Sequence, residues 1–355
     1  MKRICFIIFV LFDSCFALTK VGAICKDGTI VSGDDASQCS SHGGVHLWLA
    51  KDSDNSSDTL QICSFNIQFL GHFKNKNNSG LADILQGYDI VVVQELVAPP
   101  WDGKFPDNED FKTDPESKAF FDAMTNKGFE SILSEEDTGP GDEIHKNTTA
   151  TEWWCAFYKP HRVQPASDIP HGFLAEDRSK NPDWERVPYA FSFRDPNQKL
   201  DFVLISVHLA PGSSSSNKER RFHELKAIKN WIDQKSQKEK DFIILGDMNI
   251  EDLNELQSST PQGYLSLNDE FKKTNTATGS DKAYDHVMYS TQYTSRDIDT
   301  HFDIKIVDLI KAAQPTWTLS SPYPGNPYNH DQFRQFYSDH HPVVFRMVVR
   351  DSDDD

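Results

Sequence analysis

YDIVVVQEL, residues 88–96, is the stretch on which the fold turns. Ile90, Val91, Val92 and Val93 run together and stop at Gln94 and the carboxylate of Glu95. β-Branched side chains pack well on a pleated surface and lose rotamer freedom in a helix. A short run of them with polar ends therefore reads as a strand buried on both faces. A carboxylate at the end of such a strand is partly buried, and it must be paired or metal-bound to stay there.

The same form recurs along the chain. LQICSFNI (60–67), TEWWCAFY (151–158), YAFSFR (189–194), DFVLISVHL (201–209), DFIILGDMN (241–249), YDHVMYS (284–290) and HPVVFRMVV (341–349) are short apolar runs with polar ends. Helical stretches are expected between some of them, at 79–86, 117–127 and 217–237. The last carries Phe222, Leu225, Ile228 and Ile232 at helix-like spacing. Many short strands with fewer helices predict two packed sheets flanked by helices. With 355 residues, 37% of them hydrophobic and 12% aromatic, there is ample material for a large core.

The formal net charge of −18 repels nucleic acid and anionic membranes at long range. This excludes a storage-type DNA binder. It leaves room for an enzyme that brings metal ions to a phosphate and then releases an anionic product.

The N-terminus reads as an address. Met1-Lys2-Arg3 is basic, Ile4 to Phe12 is apolar but too short to span a bilayer, and Cys15 and Ala17 are small. This predicts a secretory signal peptide over 1–17, cut near Ala17, and a secreted protein, extracellular or periplasmic. The alternative is a buried strand. No later apolar run is long enough to span a membrane. Residues 18–58 form a small Cys/Gly-rich segment and linker, with Cys25 and Cys39 flanking a turn-rich loop as the expected disulfide. Cys63 and Cys155 lie in strand-like runs and are as readily two buried thiols as a bridge. Residues 59–350 form the main domain, and 351–355 an acidic tail.

Polar residues collect at the strand ends. Asn66, Glu95, His208, Asp247 and Asn249 close strands, Asp285 opens one, and Asp339-His340 precedes the last. Sheets hold such groups rigidly while loops give access. Taken singly, each is an ordinary turn or cap residue; six such placements are hard to ascribe to chance. Hard carboxylate and amide oxygens suit Mg²⁺ or Mn²⁺. A carboxylate can take a proton from water, and an imidazole held by a second carboxylate can protonate a leaving oxygen. The chemistry indicated is phosphoester hydrolysis.

The ordered set SFNIQFLG, YDIVVVQE, TEWWCAFYKP, SVHLAP, LGDMN, AYDHVMY and SDHHPV resembles the endonuclease/exonuclease/phosphatase superfamily, and most of all its secreted deoxyribonuclease I-like members, over roughly residues 60–350. The resemblance implies an α/β four-layer sandwich, two mainly antiparallel β-sheets face to face with outer helices. It implies a metal site at Glu95, Asn66 and Asp339, and Asp247 as the carboxylate that orients or deprotonates the attacking water. His208 and His340 would flank the scissile phosphate, supported by Glu152 and Asp285, with Asn249 and Arg186 on the phosphate. In Ser-Asp-His-x-Pro, His340 acts and His341 fills the variable place. The implied cofactor is Mg²⁺ or Mn²⁺, with calcium as a loop stabiliser, and the implied partner is DNA, bound by a monomer. The family arginine that follows the metal-binding glutamate is missing, since Leu96 and Val97 stand there; Lys104, KNKNN (74–78) and NKERR (217–221) are the candidate substitutes.

Two other functions compete. A sphingomyelinase-like phosphodiesterase of the same fold would present an exposed aromatic hairpin, for which PPW (99–101) and PTWTL (315–319) are weak candidates. A non-catalytic toxin or adhesin subunit would have lost the strand-end residues, which are all present.

Overall fold

The computed structural model describes residues 18–27, 29–32, 35–52, 58–317 and 328–353. The signal-peptide expectation, most of the linker, the end of PTWTL and the last two acids of the tail lie outside the described residues. The chain divides into two compact units, Met1–Thr59 and Leu60–Asp355.

In the larger unit all eight strand-like runs form strands. They are β1 (Thr59–Leu70), β2 (Ile90–Leu96), β3 (Trp153–Tyr158), β4 (Tyr189–Arg194), β5 (Asp201–His208), β6 (Phe242–Asp247), β7 (Asp285–Ser290) and β8 (Val343–Val348). One sheet has the order 305–306, β8, β1, β2, β3, 130–133; the other runs 164–165, β4, β5, β6, β7, 264–266. Each sheet contains one parallel pair, β1 with β2 and β5 with β6, among antiparallel neighbours. A parallel pair needs a crossover, and helices supply it. α1 (Asn78–Leu85) joins β1 to β2, α2 (Pro115–Thr125) follows β2, and α3 (Ser215–Lys235) joins β5 to β6.

The period-2 alternation of a strand sorts each run between two cores. Ile62, Val92, Trp154, Phe191, Leu204, Ile243 and Phe345 belong to the inter-sheet core. Their neighbours Cys63, Val91 and Val93 pack instead with Leu81 and Leu85 of α1 and Phe120 and Met124 of α2. On the other sheet Val203, Ile205 and Ile244 pack with Leu225, Ile228 and Ile232 of α3. This is the expected four-layer α/β sandwich of two mainly antiparallel sheets with outer helices.

Phe222 departs from expectation: it is 49% exposed. Arg221 takes the buried place in its stead, with its Nε 2.7 Å from Glu255 Oε1 and its Nη1 donating to the carbonyl oxygens of Ala210 and Gly212. The spacing 221, 225, 228, 232 fits the helix period better, but a charged residue hid it. Cys63 and Cys155 are buried free thiols. The small unit has a three-stranded sheet of Leu18–Cys25, Ile30–Ser32 and Val45–Asp52, and the Cys25–Cys39 disulfide sits in its core. His42 is hydrogen-bonded to Asp27 at 2.7 Å.

Gly246 positions Asp247. Its φ is +138°, and a Cβ there would stand 2.1 Å from the Val207 carbonyl oxygen on the adjoining strand. Gly246→Ala is expected to cost ~3 kcal/mol, read as a lowered urea midpoint. His286, fully buried, offers a pH test. Burial pushes its imidazole down to about 4. The unfolded chain therefore takes up a proton near pH 6.5 that the folded chain resists. Stability is present above pH 6.5 and falls as the pH drops towards 4, by on the order of 3 kcal/mol for this group. Urea titrations across that window should show the slope, and His286→Gln should flatten it.

Candidate active site

Parallel strands end at the same edge, so the two parallel pairs bring their C-terminal residues together. Asn66, Glu95, His208 and Asp247 all lie at such ends, with His208 directly opposite Asp247 in register. β7 runs antiparallel to β6 and begins at Asp285, opposite Asp247. The segment before β8 is tied to the end of β1 by Ser338 Oγ, which donates to the Asn66 carbonyl at 2.6 Å.

The centre of the arrangement is Asp247 Oδ2. The Nε2 atoms of His208 and His340 stand 3.7 and 3.5 Å from it, and Asn66 Nδ2 donates to it at 3.0 Å. Each imidazole is held from behind, His208 Nδ1 by Glu152 Oε2 at 2.9 Å and His340 Nδ1 by Asp285 Oδ2 at 2.7 Å. Glu152 also accepts the Glu95 backbone N–H at 2.8 Å, and Arg186 Nε lies 3.4 Å from its Oε2. All of these residues are buried.

Burial opposes charge on both imidazoles, but the surrounding carboxylates prevail. His208 is raised despite burial and Arg186, through Glu152 and Asp247. His340 is raised well above its ordinary value by Asp285 and Asp247. Burial would push Glu152 up, yet His208 and Arg186 hold its carboxyl down. Glu95 is pushed up, by burial first and by Asp339, with His208 and the Asn66 amide opposing. Lys76 is buried nearby, donates to the Tyr337 carbonyl at 2.7 Å, and is lowered by burial to about 7. Five carboxylic groups (Glu95, Glu152, Asp247, Asp285, Asp339) thus gather with Arg186, Lys76 and two imidazoles.

The donor set fits a hard divalent cation. Asp339 Oδ1 and Gln68 Oε1 are buried oxygens without a hydrogen-bond partner. Glu95, His208 and Asp247 offer atoms within 4.8 Å of one another. Oxygen donors of this kind suit Mg²⁺ or Mn²⁺.

Asn66, expected at the metal site, lies between two of its carboxylates. Its Nδ2 bridges Glu95 Oε1 at 2.9 Å and Asp247, while its Oδ1 accepts from Gln68 N–H at 2.9 Å and keeps a second lone pair. Gln68 received no role in sequence. Its Nε2 donates to Asp339 Oδ2 at 2.6 Å. The signal was its place in FNIQ, between Asn66 and the turn. Asn249 lies at the rim, with its backbone N–H on Asp247 Oδ1 and its Nδ2 on the Leu209 carbonyl, leaving one amide hydrogen free. Arg186 Nη1 is buried and lacks a hydrogen-bond partner. His341 stands apart from the cluster: its Nδ1 accepts the Leu309 N–H at the start of a short helix.

Three of the lysines offered as substitutes for the missing arginine pair with acids, while Lys76, also in KNKNN, is the buried lysine beside the site. Lys104 pairs with Asp110 at 2.8 Å, Lys74 with Asp114, and Lys218 with Asp252 at 2.6 Å. Backbone at the site is strained, with φ of +53° at Gln68, +52° at Phe69, +62° at Glu95 and +51° at Asn249. Such values outside glycine persist where surroundings enforce them, and they cluster at functional sites.

The structure is similar to an endonuclease/exonuclease/phosphatase family protein from Bacteroides thetaiotaomicron, at 15% identity and a TM-score of 0.51, over 82% of this chain and 98% of that one. It is also similar to a mannosyl-6-phosphatase of Bacteroides thetaiotaomicron, at 16% identity and a TM-score of 0.52, over 81% and 99%. The chain has their fold. No family model matches it, and no curated protein matches it in sequence.

Asp285→Asn removes the counter-charge nearest His340. In metal-free protein the His340 imidazole should then titrate at clearly lower pH by NMR, while His208, held by Glu152, moves less.

Proposed function

We propose that this protein is a secreted, Mg²⁺- or Mn²⁺-dependent phosphodiesterase that acts as an endonuclease on DNA with little sequence preference. The observation that carries the reading is the convergence of two carboxylate-held imidazoles on Asp247, beside a cluster of further carboxylates.

Glu95 and Asp339, with the free oxygen of Gln68, would hold the metal, which when bound would neutralise the phosphate and stabilise charge on its oxygens. Asp247 is the base best placed to take the proton of an attacking water. His340, kept protonated by Asp285, is placed to donate a proton to the leaving oxygen or a hydrogen bond to the phosphate. His208 does the same from the other side, held in one tautomer by Glu152. Arg186 offers an unused guanidinium N–H.

Several features favour DNA over lipid. Phe69, His72 and Phe73 form an aromatic cluster, with ring centroids 5.6–6.3 Å apart, and Phe69 N–H donates to Glu95 Oε2 at 3.1 Å. Aromatic faces beside a phosphate site accept stacked bases. Trp101, 42% exposed and edge-on to Phe121, is the feature that speaks for the lipid reading. Among the described residues no helix is long and apolar enough to cross a membrane. The basic start and short apolar core at residues 1–12 support export.

Supercoiled plasmid incubated with the protein and Mg²⁺ or Mn²⁺ should relax and then become linear, and EDTA should stop it. His340→Ala should slow nicking by roughly 100-fold or more. Intact plasmid with release of phosphocholine from sphingomyelin would replace this reading with the lipid one.

A further inference from the structure

A second cluster of ligating groups lies outside the catalytic residues. The strands Gly103–Lys104 and Asp110–Phe111 form a hairpin whose connection carries Asp107 and Glu109. His145, in the loop between 133 and 153, stacks on Phe105 of that hairpin, with ring centroids 3.7 Å apart and an 18° tilt. A ring nitrogen of His145 and carboxylate oxygens of Asp107 and Glu109 all lie within 4.8 Å of one another.

Exposed acids gather on many surfaces for no purpose, and Asp107 and Glu109 are exposed. The groups behind His145 are different. Asp137 is 1% exposed, and its Oδ1 lacks a hydrogen-bond partner while lying 3.6 Å from His145 Nε2. Its other oxygen accepts the His145 backbone N–H at 2.6 Å. Glu136 Oε2 stands 3.5 Å from the same Nε2. Leaving a buried carboxylate oxygen unsatisfied is costly. An imidazole ringed by four carboxylates, one of them buried, is arranged for a cation.

We propose that Asp107, Glu109 and His145 bind a zinc-class divalent cation, with Asp137 as the buried carboxylate that supports the imidazole. An imidazole joined to carboxylates suits zinc, and a carboxylate behind the ligating ring is a common support. Calcium takes six to eight oxygens, and this cluster supplies a nitrogen in place of one. The ion joins two segments that hold catalytic carboxylates. The hairpin follows Glu95, and the His145 loop closes where Thr138 and Glu152 exchange backbone hydrogen bonds of 2.8 Å. The site is therefore a clasp across the supports of the catalytic centre, and its occupancy does not depend on what that centre hydrolyses.

The test is Zn²⁺ stoichiometry by equilibrium dialysis of the full chain, with metal counted by mass spectrometry. Four proteins are compared: wild type, Asp107→Asn/Glu109→Gln, His145→Gln, and Glu95→Gln as a reference for the catalytic metal. The double variant changes only exposed side chains, so its fold is retained. It should bind about one Zn²⁺ fewer than wild type, and His145→Gln should match it. Combined with Glu95→Gln, the losses should add. In wild type, Zn²⁺ should also protect the loop between 134 and 152 from proteolysis, and in the double variant it should not. Wild-type stoichiometry in the double variant would overturn the proposal and leave an ion-paired histidine in an acidic pocket. That result would not touch the hydrolase reading, which plasmid nicking tests separately.

Discussion

Asp247 is the point on which the structure turns. A single carboxylate oxygen faces two imidazoles and an amide, in an interior where isolated charge is costly. Each imidazole can carry charge there only because a second buried carboxylate stands behind it. Remove Glu152 or Asp285, and the histidine in front loses both its orientation and its reason to be protonated. The chain of alternating charge, Glu152 to His208 to Asp247 to His340 to Asp285, crosses from one sheet to the other. It ties the catalytic geometry to the packing of the two sheets.

The topology explains why these groups meet. Each sheet contains one parallel pair, and the ends of both pairs open at the same edge. Seven ligating or titrating groups from widely separated stretches of chain thus need only the strands' own register to assemble. The cost shows locally. Glu95 and Gln68 adopt left-handed backbone, and Gly246 occupies a place where any side chain would strike the Val207 carbonyl.

Much of this was legible in the chain. The strands announced themselves because β-branched runs buried on both faces leave a strong pattern, and the strand-end residues stood out against them. What escaped depended on partners distant in sequence. Phe222 sat at the right spacing for the buried face of α3, but Arg221 displaced it by finding Glu255. That Asn66 would also bridge two carboxylates through its amide nitrogen was not visible until both stood beside it. Gln68 had no pattern of its own and acquires meaning only from Asp339. Lys74, Lys104 and Lys218 were taken up by nearby acids, as happens readily on a surface this rich in carboxylates, while Lys76 went to the site. Strands of two or three residues, such as 305–306 and 264–266, exist only because a longer neighbour offers hydrogen bonds.

The distribution of sulfur sets how the chain responds to its surroundings. The cross-link found among the described residues, Cys25–Cys39, sits within the small N-terminal unit. The large unit keeps Cys63 and Cys155 as thiols sealed in its core. Reducing conditions therefore loosen the small unit and leave the sandwich with every bond it had. The two units answer to different chemistry, one to the redox potential of its surroundings and the other to packing alone.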